Sequence, residues 1–525
     1  MNPERDTLYL DANATTPVLP TALAAMNEAA VGLYGNPSST HATGLRARQL
    51  IDGVRERAAR LLDSGAGQLV FVSGATEAIQ TAVLSALCAL RAQRDTGKPI
   101  APLLLVGATE HKAVPQSLAH WNTLLGLNLR IQELPVDSQG RHDLAQLQAL
   151  APQTALLCTM AANNETGVIS DLAGIEGVLT ETASPALWLV DCVQALGKLP
   201  LRLAPTRIDY AAFSGHKLYA PKGIGLLYVR QGSPFTPLVM GGGQEGGLRS
   251  GTENMAGIAA LGAVLQALDE GGTFHASAVL HGYRERLADA LRQAFPGVVF
   301  NMPFEGSIPT TLNFSVPGLG SNALLDLLDA AGLRASGGSA CSAAAAAPSF
   351  VLQAMGLPDW QTRSAVRMSF GPATPADVID AACARLLHCG EAWRTAARSR
   401  PVDDAALGLG DATPAADRQL DKAGLRQLLQ RHPETLLVDV REIYEHLAWQ
   451  VLGNTSASVI NIPLGDVPQQ ASAWLGNPAR PLVFFCRSGR RSLRALQCLA
   501  ARGHSHVWHL AGGLAMHPAL GAAKD

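Results

Sequence analysis

The stretch FSGHKLYAPKG, residues 213–223, bears most directly on the fold and chemistry of this chain, because it offers a lysine suited to covalent chemistry. It continues a short β-prone run, IDYAAF at 208–213, and places Ser214 and His216 just before Lys217. A lysine that forms a Schiff base needs such a place at the rim of a sheet, beside groups that fix a carbonyl partner. On this stretch alone, a solvated residue at a strand end is the commoner role for Lys217.

The other lysines of the chain are few, which narrows the choice of a reactive amine. We expect them to lie in turns, tails or polar surface positions: Lys98, Lys112, Lys198, Lys222, Lys422 and Lys524. Lys217 is therefore the candidate for an imine-forming amine.

Length and charge limit the classes of function. A chain of 525 residues suggests about three domains or subdomains, and its 47% hydrophobic content can fill large cores. The net charge of −2 gives no basic surface for nucleic acid, which we exclude as a partner. No apolar run approaches the roughly 20 residues of a membrane helix, and MNPERDTLYLD at the start has no secretory signal. We expect no membrane association.

The eight cysteines form neither a CxxC pair nor a Cys/His cluster. A chain of this length does not need disulfides, and the spacing predicts no metal site. Reduced cysteines in the cytoplasm are the expectation.

Strand-like and helix-like segments alternate along residues 1–395, as in QLVFVS followed by ATEAIQTAVLSALCAL. This alternation predicts an α/β domain with a mostly parallel sheet covered on both faces. Residues 396–420 are small, polar and turn-rich, and we interpret them as a linker. Residues 421–525 alternate again and predict a second, smaller α/β domain.

A strand, a glycine turn and a helix are predicted within residues 68–87, with the helix beginning near Ala75 and Thr76. Free backbone N–H groups there and the Thr76 hydroxyl could hold an anion, although many such turns bind nothing.

A carboxylate follows another predicted strand, since Asp191 ends the run ALWLVD and Gln194 lies on the next turn. Ligands of α/β sheets bind at this end of the strands, but a helix cap explains Asp191 equally well in isolation. An aspartate opposite a pyridinium nitrogen keeps that nitrogen protonated and the ring an electron sink. The phosphate cradle, Asp191 and Lys217 together predict a pyridoxal phosphate site.

Ten motifs in order then give a specific resemblance over residues 1–395. They are YLDANATTP, GNPSSTHATG, SGATEA, TEHKAV, NNETGVI, DCVQALGK, SGHKLYAPKGIG, GGGQEGGLRSGTEN, SGGSACSA and VRMSFG. In these the chain resembles cysteine desulfurases of the NifS/IscS type, which are pyridoxal 5'-phosphate enzymes of aminotransferase fold-type I. The resemblance implies a large, mostly parallel sheet domain with a small α/β domain, and a homodimer.

The resemblance also implies roles for individual residues. Lys217 would carry the cofactor, and His111 would stack on its ring and help to move protons. Further residues would bind the cofactor, with Thr252 reaching the phosphate of the partner subunit: Ala75, Thr76, Asn164, Asp191, Gln194, Ser214, His216 and Thr252. Arg367 would bind the carboxylate of L-cysteine as a bidentate fork, assisted by Asn36.

Cys341 lies in RASGGSACSAAAAAP, among glycines, serines and alanines. A structural cysteine normally has an apolar, periodic setting, which Cys341 lacks. From the local sequence alone, a nucleophilic cysteine and an unreactive one are equally plausible at this position. The resemblance implies the nucleophile, which takes sulfur from L-cysteine as a persulfide and leaves L-alanine.

A second cysteine lies in LVFFCRSGRRS, residues 482–492. With LLVDVRE, VINIP and HLAGGLAMH, this stretch resembles a rhodanese, a small α/β sulfurtransferase domain. The implied sulfur loop runs from Cys486 through Arg487, Ser488, Gly489, Arg490, Arg491 and Ser492. Four residues separate Cys486 from Arg491, as in sulfur-transferring members, whereas the related phosphatases have five. The run EHLAWQVLGNTSASVI at 445–460 departs from a frequent Gly-His-Ile pattern and leaves contacts there open.

The hypothesis is a cysteine desulfurase fused to a rhodanese, with sulfur passing from Cys341 to Cys486 or to outside acceptor proteins or small thiols. The sequence alone leaves two other functions open. One is a selenocysteine lyase or a pyridoxal phosphate β-lyase, which needs no protein thiol. The other is a scaffold whose C-terminal domain only docks partners. The final acceptor is not specified, and iron–sulfur cluster assembly is one of several consistent destinations.

Overall fold

The computed structural model describes residues 7–337, 348–396, 402–408, 418–449 and 459–517. The strands of its N-terminal part are β1 (Leu8–Tyr9), β2 (Gln68–Val72), β3 (Leu103–Gly107), β4 (Arg130–Leu134), β5 (Thr154–Met160), β6 (Leu187–Asp191), β7 (Tyr210–Ser214), β8 (Gly225–Val229), β9 (Val299–Phe300), β10 (Thr311–Ser315), β11 (Leu333–Arg334), β12 (Ser336–Gly337) and β13 (Val366–Ser369). Its helices are α1 (Pro20–Gly32), α2 (Ala42–Leu61), α3 (Ala75–Asp95), α4 (Ala113–Leu124), α5 (Leu144–Leu150), α6 (Leu172–Glu181), α7 (Met255–Glu270), α8 (Ser277–Ala294), α9 (Ser321–Ala330), α10 (Phe350–Ala354), α11 (Asp359–Ser364) and α12 (Ala376–Thr395).

A seven-stranded sheet forms the centre of the N-terminal part, in the order β2-β8-β7-β6-β5-β3-β4. Its strands are parallel except β8, which is antiparallel to both of its neighbours. Helices α2, α5, α6 and α7 cover one face, and α3 and α4 cover the other. The strands β3, β5, β7 and β8 are buried along their whole length, which is the pattern of a sheet covered on both faces.

A smaller unit follows in the chain, built on the antiparallel sheet β12-β13-β10-β9. Helices α8, α9 and α12 pack on it around a separate core. Strand β1 pairs in parallel with β11 and so joins the first described residues to this unit. The predicted division into a large sheet domain and a small α/β domain is confirmed.

The C-terminal part contains the strands β14 (Gln419–Leu420), β15 (Leu436–Asp439), β16 (Val459–Asn461), β17 (Leu482–Phe485) and β18 (Val507–Leu510). Its helices are α13 (Asp404–Leu407), α14 (Lys422–Arg431), α15 (Ile443–Trp449), α16 (Val467–Leu475), α17 (Arg490–Ala501) and α18 (Gly513–Met516). The strands form one parallel sheet in the order β14-β18-β17-β15-β16. Residues of α16 and α17 fill the core on one face, and α14 packs on the other.

Part of the predicted linker is folded onto this C-terminal core. Leu407 in α13 is fully buried against it, and Arg502 donates hydrogen bonds to the carbonyls of Ala406 and Leu407. The low periodicity of this segment concealed the helical turn because it is only four residues long. Among the described residues, no helix combines the length and apolarity needed to cross a membrane.

Candidate active site

Lys217 lies in a cleft of about 710 Å³ at the end of the large sheet. Strand β7 ends at Ser214, and a short 3-10 turn, Gly215–Lys217, turns the chain so that the lysine enters the cleft. Its Nζ donates hydrogen bonds to the carbonyls of Asn13 at 2.7 Å and Ala14 at 2.8 Å. The amine is therefore fixed inside a cavity rather than solvated at a strand end.

The carboxylate of Asp191 lines the same cleft from the last position of β6. One of its oxygens accepts a hydrogen bond from the Val193 N–H at 2.9 Å. Burial raises the pKa of Asp191, because an ionised carboxylate loses its hydration there, while the Val193 hydrogen bond and the charges of His111 and Lys217 act in the opposite direction. An ionised Asp191 is thus favoured by a positive partner, such as the protonated nitrogen of a pyridine ring.

An anion cradle lies at the beginning of α3. The helix begins at Ala75, as predicted, and the N-cap Gly74 offers no side chain to occupy its first N–H groups. Ala75, Thr76 and Ser214 line the cleft together at this point. Gly225 on β8 permits the close approach, because a Cβ there would lie 2.8 Å from the Cα of Gly74.

His216 closes the cradle beside Lys217. Its Nδ1 lies 3.1 Å from the Thr15 hydroxyl. Burial lowers the pKa of His216 to about 4, and the positive charges of Lys217 and Lys222 act in the same direction. A bound phosphate would place a negative charge beside the cationic amines of Lys217 and Lys222, which line this end of the cleft.

Arg367 on β13 reaches the cleft from the small unit and is only 2% exposed. Its guanidinium donates to Asp11 Oδ1 at 2.6 Å, to the Ser336 hydroxyl at 2.9 Å and to the Asn164 carbonyl at 2.9 Å. The buried Nε finds no hydrogen-bond partner among the described residues. Arg367 is therefore rigidly held with a donor to spare, which suits recognition of a carboxylate.

His111, Asn164 and Gln194 also line the cleft. The His111 ring is held by a hydrogen bond from the Ala113 N–H to Nδ1 at 3.2 Å. Partial burial lowers the pKa of His111, and Lys217 and Lys112 add to this against the opposing charge of Asp191. Gln194 donates to the Asn13 carbonyl at 3.1 Å, the same carbonyl that Lys217 contacts.

Three predicted residues are not in this group. Asn36 is exposed, and its Oδ1 accepts from the Ser38 N–H at 2.9 Å, away from the cleft. Thr252 is exposed on the segment before α7 and does not line the cleft of its own chain. Cys341 lies outside the described residues. The predicted roles of all three stay predictions.

Lys198 lies in a turn, one of the positions expected for the other lysines, but its amine contacts two residues that line the cleft. Its Nζ donates to Gln194 Oε1 at 2.6 Å and to Asn13 Oδ1 at 3.3 Å, and it is half-buried beside the cleft. Burial lowers the pKa of Lys198 to about 7, and the nearby charges of Lys217 and Arg367 contribute. The spacing of four residues between Gln194 and Lys198 was the local signal of this contact.

Two buried acidic residues near the site were not predicted from the sequence. Glu110 is buried beside Asp191, and burial together with the Asp191 charge raises its pKa well above the usual range. Glu165 is buried at the cleft wall and accepts a hydrogen bond from the Ser349 hydroxyl at 2.6 Å. Burial raises the pKa of Glu165 to about 7. Their positions directly next to His111 and Asn164 in the sequence were the available signals.

Cys486 begins the sulfur loop of the C-terminal part, directly after β17. Its Sγ accepts a hydrogen bond from the Ser492 N–H at 3.4 Å, and the Ser492 hydroxyl lies 3.6 Å away. The loop turns into α17 at Gly489, where a Cβ would lie 2.9 Å from the backbone nitrogen of Gly512 and where φ is +86°. The chain thus curls around the thiol as the sequence pattern predicted.

The charged residues of the loop differ in their partners. Arg491 forms a bidentate pair with the buried Glu445, at 2.5 and 2.8 Å. Arg487 contacts Asp326 and Asp329 on α9. Arg490 and Ser488 are exposed. Arg487 and Arg491 are therefore paired with carboxylates, whereas Arg490 faces solvent.

Comparisons with known proteins agree with this geometry. The family model for aminotransferase class-V matches residues 8–381, and the model for a rhodanese-like domain matches residues 421–516. A cysteine desulfurase of Gluconacetobacter diazotrophicus is 38% identical over 378 residues, which cover 71% of this chain and 90% of the relative.

Two solved structures show the same fold over the N-terminal part. A NifS-like protein superposes with a TM-score of 0.63 at 31% identity and covers 73% of this chain and 98% of its own. SspA in complex with cysteine superposes with a TM-score of 0.59 at 28% identity and covers 70% of this chain and all of its own.

The fold and the cleft therefore define a pyridoxal phosphate-dependent enzyme of aminotransferase class-V, joined to a rhodanese domain. Within that class, the chain belongs to the cysteine desulfurase family. The predicted class of enzyme, its cofactor and its fold are confirmed.

The residues of the cleft fit this cofactor. The uncapped beginning of α3 suits the phosphate, Asp191 suits a protonated ring nitrogen, and Lys217 is the amine beside them.

Proposed function

We propose that this chain takes sulfur from L-cysteine with Cys341 and passes it to Cys486 of its own rhodanese domain. The observation that carries the proposal is that one cleft brings Lys217, Asp191, His111 and Arg367 together, although they are up to 256 positions apart in the sequence. The cleft thus contains an amine, an acid, an imidazole and a carboxylate-binding guanidinium.

Three of these residues have a definite task toward the substrate in the proposal. Arg367 binds the substrate carboxylate and fixes the orientation of Cα, since its other donors are already held by Asp11 and Ser336. Lys217 Nζ moves the Cα proton, and His111 transfers a proton at the substrate sulfur or amine. Pyridoxal phosphate, when bound, supplies the electron sink that stabilises negative charge at Cα.

Cys341 is the proposed nucleophile toward the substrate sulfur. Its thiolate forms an S–S bond with that sulfur while the carbon–sulfur bond of the substrate breaks, and the three-carbon product is protonated to L-alanine. The support is the sequence, since position 341 follows β12 by four residues and Ser336 of β12 contacts Arg367. The related protein SspA is known in complex with cysteine, which supports L-cysteine as the substrate.

Cys486 is the proposed second carrier. Its thiolate attacks the outer sulfur of the Cys341 persulfide, so that one S–S bond forms, the other breaks and the Cys341 thiolate returns. The Ser492 N–H and the arginines of the loop would stabilise the negative charge of the persulfide. Because both domains belong to one chain, the transfer takes place at an effective concentration on the order of millimolar. Acceptor proteins or small thiols then discharge the sulfur, with iron–sulfur cluster assembly as one destination.

The proposal extends to the assembly and the compartment. Thr252 lies outside the cleft of its own chain, which supports a homodimer in which it reaches the phosphate of the other subunit. Thiol chemistry at Cys341 and Cys486 requires a reducing environment, so we place the protein in the cytoplasm. We place the desulfurase domain at residues 1–395 and the rhodanese domain at 421–525, with α13 in the linker as an added packing element.

The test is the formation of alanine and of protein persulfide from L-cysteine by a Cys341→Ala variant. We expect alanine formation to fall about 100-fold or more, while the visible absorbance of the bound cofactor stays. Cys383→Ala, at a half-buried cysteine of α12, is the matched control and should behave as the wild type. Full alanine production by Cys341→Ala would overturn the role of Cys341 as the sulfur acceptor, and pyruvate in place of alanine would indicate a β-lyase.

A further inference from the structure

The sulfur loop is bound to the desulfurase part of the chain by ion pairs. Arg487 Nη1 lies 2.5 Å from Asp326 Oδ1, and its Nε lies 2.9 Å from Asp329 Oδ2. Asp326 Oδ2 also lies 3.9 Å from Arg491 Nη2. Both aspartates are on α9, so one helix of the small unit supplies carboxylates to two arginines of the loop.

An apolar contact next to the loop supports this docked arrangement. Helix α15 packs against α9 and α12, and its Ala448 is fully buried in the core of the small unit. The rings of Tyr444 and Trp393 meet edge to face, with centroids 5.2 Å apart. His388 Nε2 lies 3.1 Å from the Leu447 carbonyl. The ion pairs therefore lie at the margin of a packed interface and not at an isolated surface contact.

The same arginines are the groups that a small anionic sulfur donor would need. A dianion such as thiosulfate must place its sulfonate against cations at the mouth of the loop. Here carboxylates already neutralise Arg487 and Arg491, since Glu445 pairs with Arg491 as well. Cys486 is only 1% exposed in this arrangement. Carboxylates of α9 thus occupy the place of the anion.

We propose that Asp326 and Asp329 act as an internal anion for the sulfur loop, so that the docked rhodanese domain rejects small anionic sulfur donors from solution. This rests on the proposed role of Cys486 as a sulfur carrier. With thiosulfate as donor, the Cys486 thiolate attacks the outer sulfur, an S–S bond forms to Cys486, and sulfite leaves with the electron pair of the broken bond. Cyanide then removes the outer sulfur as thiocyanate and returns the thiolate.

The experiment compares full-length wild type with Asp326→Asn in the thiosulfate–cyanide reaction. Asp326 is 27% exposed, and Asn has the same size, so the substitution removes one charge and little else. We expect kcat/KM for thiosulfate to rise about three- to tenfold, because both arginines then have more positive charge available for the donor. Arg487 loses one of its two carboxylate partners, and Arg491 loses the more distant of its two carboxylate partners. Hydrogen exchange at residues 486–492 should become faster in the variant, because the loop is less firmly docked.

The matched control is Asp289→Asn, which removes the same charge from an exposed ion pair with Arg292 on α8 of the same unit. It should leave the thiosulfate reaction unchanged, and alanine formation from L-cysteine should stay the same in all three proteins. Equal thiosulfate activity in wild type and Asp326→Asn, including no activity in either, would overturn the proposal. If the activity rises but Cys486 gains no sulfur from L-cysteine in either protein, the relay is wrong and the docking proposal stands.

Discussion

The cleft around Lys217 and the loop around Cys486 are both anion sites at the end of a parallel strand, but they balance charge differently. In each, a helix begins just beyond a strand, with α3 after β2 in the cleft and α17 after β17 in the loop. The cleft is large, and Arg367 Nε is left without a partner there among the described residues. The loop is tight, and carboxylates already pair with Arg487 and Arg491.

The difference reflects what each site holds. Burial raises the pKa of Asp191 and lowers the pKa of His216, so the cleft is electrostatically incomplete until a ligand brings the opposite charges. Such a site suits a resident cofactor that carries both a phosphate and a cationic ring. The charge of the loop is already balanced by Glu445 and by the carboxylates of α9, and the loop suits a single sulfur atom that is bound and released.

The strongest test of the cleft is Lys217→Ala. We expect alanine formation to fall about 1,000-fold or more, since the variant loses the amine that we propose to move the Cα proton. Reaction with L-cysteine, followed by chromatography of alanine, measures the loss. Lys222→Ala is the control, because Lys222 also lines the cleft but no task is assigned to it, and it should lose less than tenfold. An active Lys217→Ala protein would show that the cleft does not depend on this amine and would contradict its assignment as the cofactor site.

In the loop, Glu445→Ala should lower the stability of the C-terminal domain by about 3 kcal/mol, because it leaves the Arg491 guanidinium without its buried carboxylate partner. Native-state hydrogen exchange in β17 measures this in the full chain. Glu434→Ala, at an exposed carboxylate, should change stability by less than about 0.5 kcal/mol. Equal protection of β17 in the two variants would show that the loop does not depend on internal charge balance.

In the cleft, Arg367→Lys should lower kcat/KM for L-cysteine about 100-fold. An ammonium group cannot reproduce the planar fork that binds Asp11, Ser336 and a substrate carboxylate at once. Steady-state kinetics should place most of the loss in KM, while the cofactor absorbance is retained. A variant with normal KM would show that another residue binds the carboxylate.

The smallest effect concerns pH. Burial raises the folded-state pKa of Glu165 to about 7 from a usual value of 4.5, so its stabilising contribution is present at low pH and is lost as pH rises through 7. As the pH rises from 5 to 6.5, this loss should lower the free energy of unfolding of the wild type by roughly 2 kcal/mol. Glu165→Gln should lack this part of the pH dependence, because glutamine does not ionise. Thermal midpoints of both proteins across this range measure the difference. Parallel pH profiles would contradict the assignment.

The site residues could be predicted from the sequence where each one is positioned by the strand that directly precedes or contains it. Lys217, Asp191 and the beginning of α3 each lie at or just after the end of a strand, so their meeting at one sheet edge could be predicted from local patterns. The curl of the loop from Cys486 to Ser492 is likewise local.

Contacts between distant parts of the chain could not be predicted. Lys198 is held partly by Asn13, 185 positions away, and Arg487 meets Asp326 across 161 positions. No periodicity or spacing encodes such pairs, because each depends on how elements far apart in the chain pack together. The burial of Leu407 within the predicted linker could not be predicted for the same reason, since it depends on a core formed elsewhere.

The central claim is that the two regions exchange sulfur, and single-turnover labelling tests it most directly. Full-length protein is given one equivalent of L-cysteine with radioactive sulfur, and the label on each cysteine is followed by proteolysis. We predict that the label appears first on the peptide of Cys341 and then on that of Cys486, and that Cys486→Ala slows delivery to a thiol acceptor. Label that never reaches Cys486, with unchanged delivery by Cys486→Ala, would contradict the relay.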